Sequence, residues 1–182
     1  PGVTAFSDLK TSIPSTTLSE ATVSITSDTI AKFLFTSGST NLPKAVINTH
    51  GMLTSNQQAI AQVWPFLDEQ PLVLVDWLPW NHTFGGNHNF NMVLKHAGTL
   101  YIDAGKPVPA LFAPTLKALS EISPTICFNV PAGFSTLLPH LENDPDFARQ
   151  FFSNLKLIFY AGAALPQDLW TRLEQVAINA VG

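Results

Sequence analysis

Phe35-Thr36-Ser37-Gly38-Ser39-Thr40-Asn41-Leu42-Pro43-Lys44-Ala45-Val46 is a hydroxyl-rich loop set between two apolar ends. Four hydroxyls, one glycine and one lysine fall within the nine residues from Thr36 to Lys44. Glycine lets the backbone turn or approach a ligand closely. Hydroxyls and free N–H groups donate to phosphate oxygens, and a lysine adds a point charge. The loop is therefore a candidate phosphate cradle. It is not a P-loop of the form G-x-x-x-x-G-K-S/T, because Pro43 precedes the lysine and Ala45 follows it where a magnesium-binding hydroxyl belongs. A polar hairpin loop with no ligand is the competing reading on composition alone.

The flanks specify the local fold. Ala31 to Phe35 and Lys44 to Asn48 are short β-type runs, so the loop is expected to cap a hairpin. Residues 1–30, rich in Ser and Thr around Pro14, read as an irregular lead-in. Beyond the hairpin the pattern alternates. Thr49 is placed to cap a helix over 51–63, and Leu72 to Val75 reads as a strand buried on both faces. A helix over 86–96 is expected to end with Gly98 as its left-handed terminator. Strand 99–102, helix 109–121, strand 125–130, a helix opening at Pro131, strand 156–160 and a helix after Pro166 complete the series. This is an α/β pattern, a mostly parallel sheet with flanking helices, preceded by the hairpin that carries the loop. Ligands of such sheets bind outside the carboxyl ends of the strands, so 76–81, 129–131 and 161–165 are expected to line one rim.

Composition narrows the function classes. In 182 residues, 46% are hydrophobic and 12% charged, with a net charge of −4, so the chain has a core and no basic stripe for nucleic acid. No apolar run is long enough to span a bilayer, and Pro1-Gly2-Val3-Thr4 does not open a secretory leader. The single cysteine, Cys127, reads as a buried structural thiol in a reducing, cytoplasmic compartment. His50, His96 and His140 read as surface or capping residues. His82 and His88 lack the neighbouring Cys or carboxylates of a metal site. No G-x-S-x-G elbow is present, which disfavours a serine hydrolase.

Three segments in order resemble the adenylate-forming superfamily of acyl-CoA synthetases, aryl-CoA ligases, peptide-synthetase adenylation domains and luciferases. The loop from Thr36 to Val46 resembles its T-S-G-S/T-T-G-x-P-K-G-V signature, departing at Asn41 and Ala45. Asn41 is compatible with a left-handed backbone, whereas Ala45 requires a negative φ. Pro79-Trp80-Asn81-His82-Thr83-Phe84-Gly85 resembles the family's P-x-x-H-x-x-G segment, and Tyr160-Ala161-Gly162-Ala163-Ala164-Leu165 its small-residue strand end. The resemblance covers residues 30–180 and implies part of the large N-terminal domain, an AMP-binding region over 31–182 with the C-terminal domain absent.

By that resemblance, Thr36, Ser37, Gly38, Ser39, Thr40 and Lys44 hold ATP phosphates. Gly162, Ala163 and Ala164 border adenine and acyl group, and Trp80, Asn81 and His82 border the acyl pocket. The implied reaction uses ATP, Mg2+ and CoA to convert a carboxylic acid to acyl-AMP and then acyl-CoA. The family's magnesium-serving glutamate and catalytic lysine have no counterparts in this sequence, so the segment is expected to be silent without the remainder of its parent chain. The run from Val75 to Asn87 most resembles feruloyl-CoA synthases, and Trp77 and Trp80 beside Asn81 and His82 suit a flat hydroxycinnamate. The alternatives are a non-catalytic nucleotide-binding module of the same fold and a ligase that loads a carrier protein.

Overall fold

Alternating side chains divide the sheet between two cores. The computed structural model describes residues 5–11, 16–36 and 42–182. On β3 (Val73–Asp76), β5 (Ile126–Asn129) and β6 (Leu157–Tyr160), successive residues face opposite sides, as the pleat requires. Leu74, Ile126, Phe128, Leu157 and Phe159 enter one core, while Val75, Cys127, Ile158 and Tyr160 enter the other. Every residue of β5 is buried, so it is the most enclosed strand. The fully buried Phe128, Phe134 and Phe151 each contribute about 1.5–3 kcal/mol by leaving water.

Strand β4 (Thr99–Ile102) pairs with β3 in parallel, and β5 pairs with β6 in parallel. The two pairs are stitched at Thr125, whose N–H donates to the Val73 carbonyl (2.9 Å), while its Oγ1 accepts from the Val73 N–H (2.9 Å). The resulting lateral order is β4-β3-β5-β6. Helices α5 (Ala113–Glu121), α6 (Pro131–Asn143), α7 (Pro145–Phe152) and α8 (Gln167–Val181) cover one face. Helix α3 (His50–Val63), the 3-10 turn Pro65–Asp68 and α4 (Phe90–Lys95) cover the other. Pro131 opens α6, as a residue with fixed φ and no N–H suits a first helical turn. Asp144 caps α7 by accepting from the Asp146 and Phe147 N–H groups.

The expected hairpin forms from β1 (Ile30–Thr36) and β2 (Lys44–Thr49), antiparallel and in a register that pairs Thr36 with Lys44. Ala45 lies opposite Phe35 inside this ladder, and Ala97 is the one described non-glycine residue with positive φ, so the departure at Ala45 strains nothing. Thr49 caps α3, its Oγ1 accepting from the Met52 N–H at 3.2 Å.

Three expectations need correction. The lead-in is not wholly irregular: α1 (Phe6–Lys10) and α2 (Thr16–Val23) form there, and α2 buries no residue. The helix expected over 86–96 begins earlier, with a π-helical turn at Phe84–Asn89 that runs into α4. Its terminator is Ala97 (φ 49°), not Gly98. The Gly98 N–H donates to the Val93 carbonyl and the Ala97 N–H to Leu94, a Schellman closure with alanine in the left-handed seat. Gly98 is glycine for a different reason: a Cβ there would stand 2.7 Å from the Leu72 carbonyl oxygen.

Candidate functional site

The carboxyl ends of β3, β5 and β6 open into a cleft of about 660 Å³. Trp77 and Leu78 follow β3, Val130 follows β5, and Ala161 and Gly162 follow β6, all lining it as the rim rule anticipates. Helix α3 adds Met52, Leu53 and Asn56 on the opposite wall. Gly162 has φ +90°, a left-handed conformation that side chains rarely adopt, and this turn carries the chain past the cleft without filling it. The rim strands are tied together here, since Trp77 Nε1 donates to the buried Asn129 Oδ1 at 3.2 Å.

A second groove of about 540 Å³ adjoins the first, sharing Asn48, Pro79, His82 and Thr83 with it. It is bordered by Leu34, Phe35 and Thr36 of the hairpin and by Asn81 of the rim. The fold thus brings the base of the hydroxyl-rich loop beside the P-x-x-H segment, separated from it by more than forty residues of sequence. Thr36 and Lys44 face one another at the loop's base, both exposed. Ser37, Gly38, Ser39, Thr40 and Asn41 lie outside the described residues.

The hairpin is held in this position by two latches onto the π turn. Lys32 Nζ donates to the Gly86 carbonyl at 2.8 Å, and partial burial lowers its pKa. Asn87 Nδ2 donates to Asn48 Oδ1 at 2.8 Å and to Thr83 Oγ1 at 3.2 Å. Gln57 of α3 braces the same turn by donating to the carbonyls of Asn87 and His88. Neither Lys32 nor Asn48 carries a motif signal, so sequence reasoning passed over both.

His82 lines both grooves and is exposed. Its Nδ1 accepts from the Phe84 N–H at 3.2 Å, which leaves the ring proton on Nε2 as a donor. Asn81 is exposed and borders the groove beside the hairpin. Trp80 lines neither groove. It is 48% exposed and packs against Phe90, ring centres 5.0 Å apart, so Trp77 supplies the indole of the cleft. Ala163 and Ala164 are exposed beyond Gly162 and outside the cleft lining.

His88, weighed at the sequence level only as a metal ligand, is a cleft residue. It stacks on Phe159 (5.6 Å, 21°) and meets Phe128 and Phe84 edge-on. Its Nδ1 lies 2.8 Å from Asn89 Oδ1, and Asn89 Nδ2 donates to Asp76 Oδ2 at 2.9 Å. The other Asp76 oxygen accepts from the Leu78 N–H at 2.9 Å. Burial pushes the Asp76 carboxyl above its ordinary value, opposed by these hydrogen bonds, and the Asp103 charge pushes the same way as burial. Burial pushes the His88 imidazole below its ordinary value, with the Asn89 bond countering. Cys127 is buried and its thiol is pushed up to about 12 by burial, then by the Asp76 charge, as suits a structural thiol.

The description "AMP-binding enzyme" matches residues 3–182 of the chain. The chain belongs to this family. It is 31% identical over 167 residues to acyl-CoA ligase sidI of Aspergillus fumigatus, covering 88% of this chain and 26% of that protein. It is 27% identical over 146 residues to a feruloyl-CoA synthase of an Amycolatopsis species, covering 80% of this chain and 28% of the relative. ATP-bound MatB from Rhodopseudomonas palustris superposes with a TM-score of 0.65 at 23% identity, over 87% of this chain and 31% of that one, a likeness of fold. The chain spans between 18% and 34% of the length of the first curated relatives it matches. The resemblance read from three motifs thus extends over almost the whole chain, and its α/β architecture is that of adenylate-forming enzymes.

Proposed function

We propose that the full-length protein activates a carboxylic acid with ATP, giving acyl-AMP and pyrophosphate, and passes the acyl group to the CoA thiol with release of AMP. The acid is a hydroxycinnamate such as ferulate. The observation that carries this reading is that Thr36, paired across the hairpin with Lys44, lines the same groove as Asn81 and His82. Phosphates held at the loop, by Thr36, Ser37, Gly38, Ser39, Thr40 and Lys44, sit next to an acid held in the cleft. The acid's carboxylate oxygen bonds to the α-phosphorus while the bond to the pyrophosphate oxygen breaks. The work of the site is to position and stabilise the charge gathering on the phosphates.

His82 serves the carboxylate end, because it lines both grooves and its Nε2–H is left as a donor. Gly162, with Ala163 and Ala164 behind it, leaves room for the adenine beside the acyl group. Trp77, Phe84 and Phe159 give the cleft the flat apolar walls that an aryl acid fits. Among the described residues no three His, Cys, Asp or Glu side chains gather to hold a metal. Mg2+ enters this reading as the ion carried by ATP.

The test is carboxylate-dependent ATP–pyrophosphate exchange by the full-length protein with ferulate, coumarate, benzoate and a fatty acid, alongside Lys44→Ala. Exchange with the hydroxycinnamates, reduced about 10- to 100-fold by Lys44→Ala, is the expected result. Absence of exchange with every acid refutes adenylation and leaves a nucleotide-binding module of the same fold. Exchange followed by transfer to a carrier protein and not to CoA refutes the acceptor.

A further inference from the structure

The two imidazoles lining the cleft present opposite polarity. His82 accepts at Nδ1 and therefore donates at Nε2. At His88 the assignment is fixed from Asp76 outward. The Asp76 carboxylate accepts from Asn89 Nδ2, so the Asn89 amide must turn Oδ1 toward His88, and His88 must carry its proton on Nδ1. Nε2 of His88 then holds a lone pair. It has no hydrogen bond to a described residue and is not fully buried, and His88 is one of the residues that line the cleft.

A lone-pair acceptor set among Phe84, Phe128 and Phe159 repels a carboxylate and needs a donor. We propose that His88 recognises the far end of the acid, its Nε2 accepting a hydrogen bond from a hydroxyl on the substrate ring, with Asn89 and Asp76 as positioning residues that fix the tautomer. The inference rests on the acid-activating function proposed above and assigns the hydroxyl of the acid to one residue. It also orients the acid, carboxylate toward His82 and the hairpin, hydroxyl toward His88. Asn89 is 0% exposed, so the relay is built into the core beneath the cleft and not assembled at a surface. A purely packing role has no need of it, because phenylalanine fills the same stack without a polar chain behind it.

The experiment compares exchange kinetics of the full-length protein on 4-hydroxycinnamate, cinnamate and 4-methoxycinnamate, which differ only at the ring position in question. The native protein is expected to prefer 4-hydroxycinnamate over cinnamate by about 100-fold or more in kcat/KM, since a site built for a hydroxyl leaves a buried polar group unpaired when it is missing. His88→Phe is expected to bring the two acids to within about threefold, with cinnamate still activated. Asp76→Asn reverses the relay: the new amide donates to Asn89 Oδ1, Asn89 Nδ2 turns to His88 Nδ1, and Nε2 becomes a donor. Its preference is expected to move from the hydroxyl toward the methoxy acid, an outcome that loss of packing does not produce. Histidine-selective 15N spectra of the native protein supply a readout independent of the variants. The His88 ring is expected to show a protonated Nδ1 and a bare Nε2 that shifts with 4-hydroxycinnamate and not with cinnamate. Exchange with acids but no hydroxyl preference, or a preference untouched by His88→Phe, overturns the assignment of His88 while acid activation stands. No exchange with any acid overturns the proposed function, and the assignment with it.

Discussion

Asn87→Ala tests whether the π turn positions the phosphate loop. The side chain donates to Asn48 Oδ1 and to Thr83 Oγ1, while its own Oδ1 is buried without a partner. Asn48 is 8% exposed, so stripping its partner leaves an acceptor mostly cut off from water, at a cost of about 1–3 kcal/mol. Thr83 is exposed and rehydrates, losing about 0.5 kcal/mol. Removing the orphaned Asn87 Oδ1 returns about 1 kcal/mol. The net expectation is a destabilisation of about 0.5–2.5 kcal/mol, modest beside the functional effect.

That effect arises because the hairpin otherwise touches the π turn through the Lys32 bond to Gly86. With Asn87 gone the base of the loop shifts against the rim, and a displacement near 1 Å at a reacting centre costs on the order of 100-fold in rate. The assay is a double-mutant cycle of Asn48→Ala and Asn87→Ala in urea unfolding, with exchange kinetics measured on the same four proteins. A coupling of about 1 kcal/mol and a fall in exchange common to both single variants are expected. Additivity within about 0.3 kcal/mol together with unchanged exchange refutes the latch.

Three further outcomes follow from single residues. Gly86→Ala is expected to lower stability by about 3 kcal/mol or more, read by thermal unfolding, because a Cβ would stand 2.1 Å from the Trp80 carbonyl oxygen. Cys127, at about 12, is expected to react with a thiol reagent at pH 8 only as fast as the protein unfolds. His88 is held below its ordinary 6.5, so the folded state binds fewer protons than the unfolded one in the window beneath 6.5. Its contribution is complete above 6.5 and is lost as pH falls through that window. Asp76, held above 3.8, acts in the opposite sense, favouring the folded state less as pH rises through its window. Urea unfolding at pH 7 and pH 5 is expected to show a smaller stability difference between native protein and His88→Phe at the lower pH.

Much of this arrangement is legible in the sequence where one residue type has one physical use. Two short β-type runs broken by a hydroxyl-rich loop give the hairpin, Thr49 gives the start of α3, and Pro131 gives the start of α6. Small residues after β6 give the open side of the cleft. The π turn is not legible, because hydrophobic periodicity distinguishes strand from helix and says little about a single widened turn. Trp80 misleads for a related reason. Its place in the P-x-x-H segment suggests the pocket, but Trp80 sits within the turn from Pro79 to His82 and packs onto Phe90, while the preceding indole, Trp77, lines the cleft. Gly98 misleads because two demands on glycine, conformational and steric, look the same in a sequence.

The π turn decides how the site is organised. Three consecutive polar residues, Asn87, His88 and Asn89, leave it toward three different partners: Asn48 of the hairpin, the cleft, and Asp76 at the end of β3. A widened turn lets one short segment address all three, and rare π turns are frequent at functional sites. The two glycines beside them cannot be replaced without collision, Gly85 against the Leu78 and Pro79 carbonyls and Gly86 against Trp80, so the turn is pressed onto the rim it serves. The hairpin's position and the setting of His88 are therefore fixed by the same six residues. A change that relaxes the π turn is expected to damage phosphate positioning and hydroxyl recognition together, whereas one confined to Lys44 or to His88 separates them.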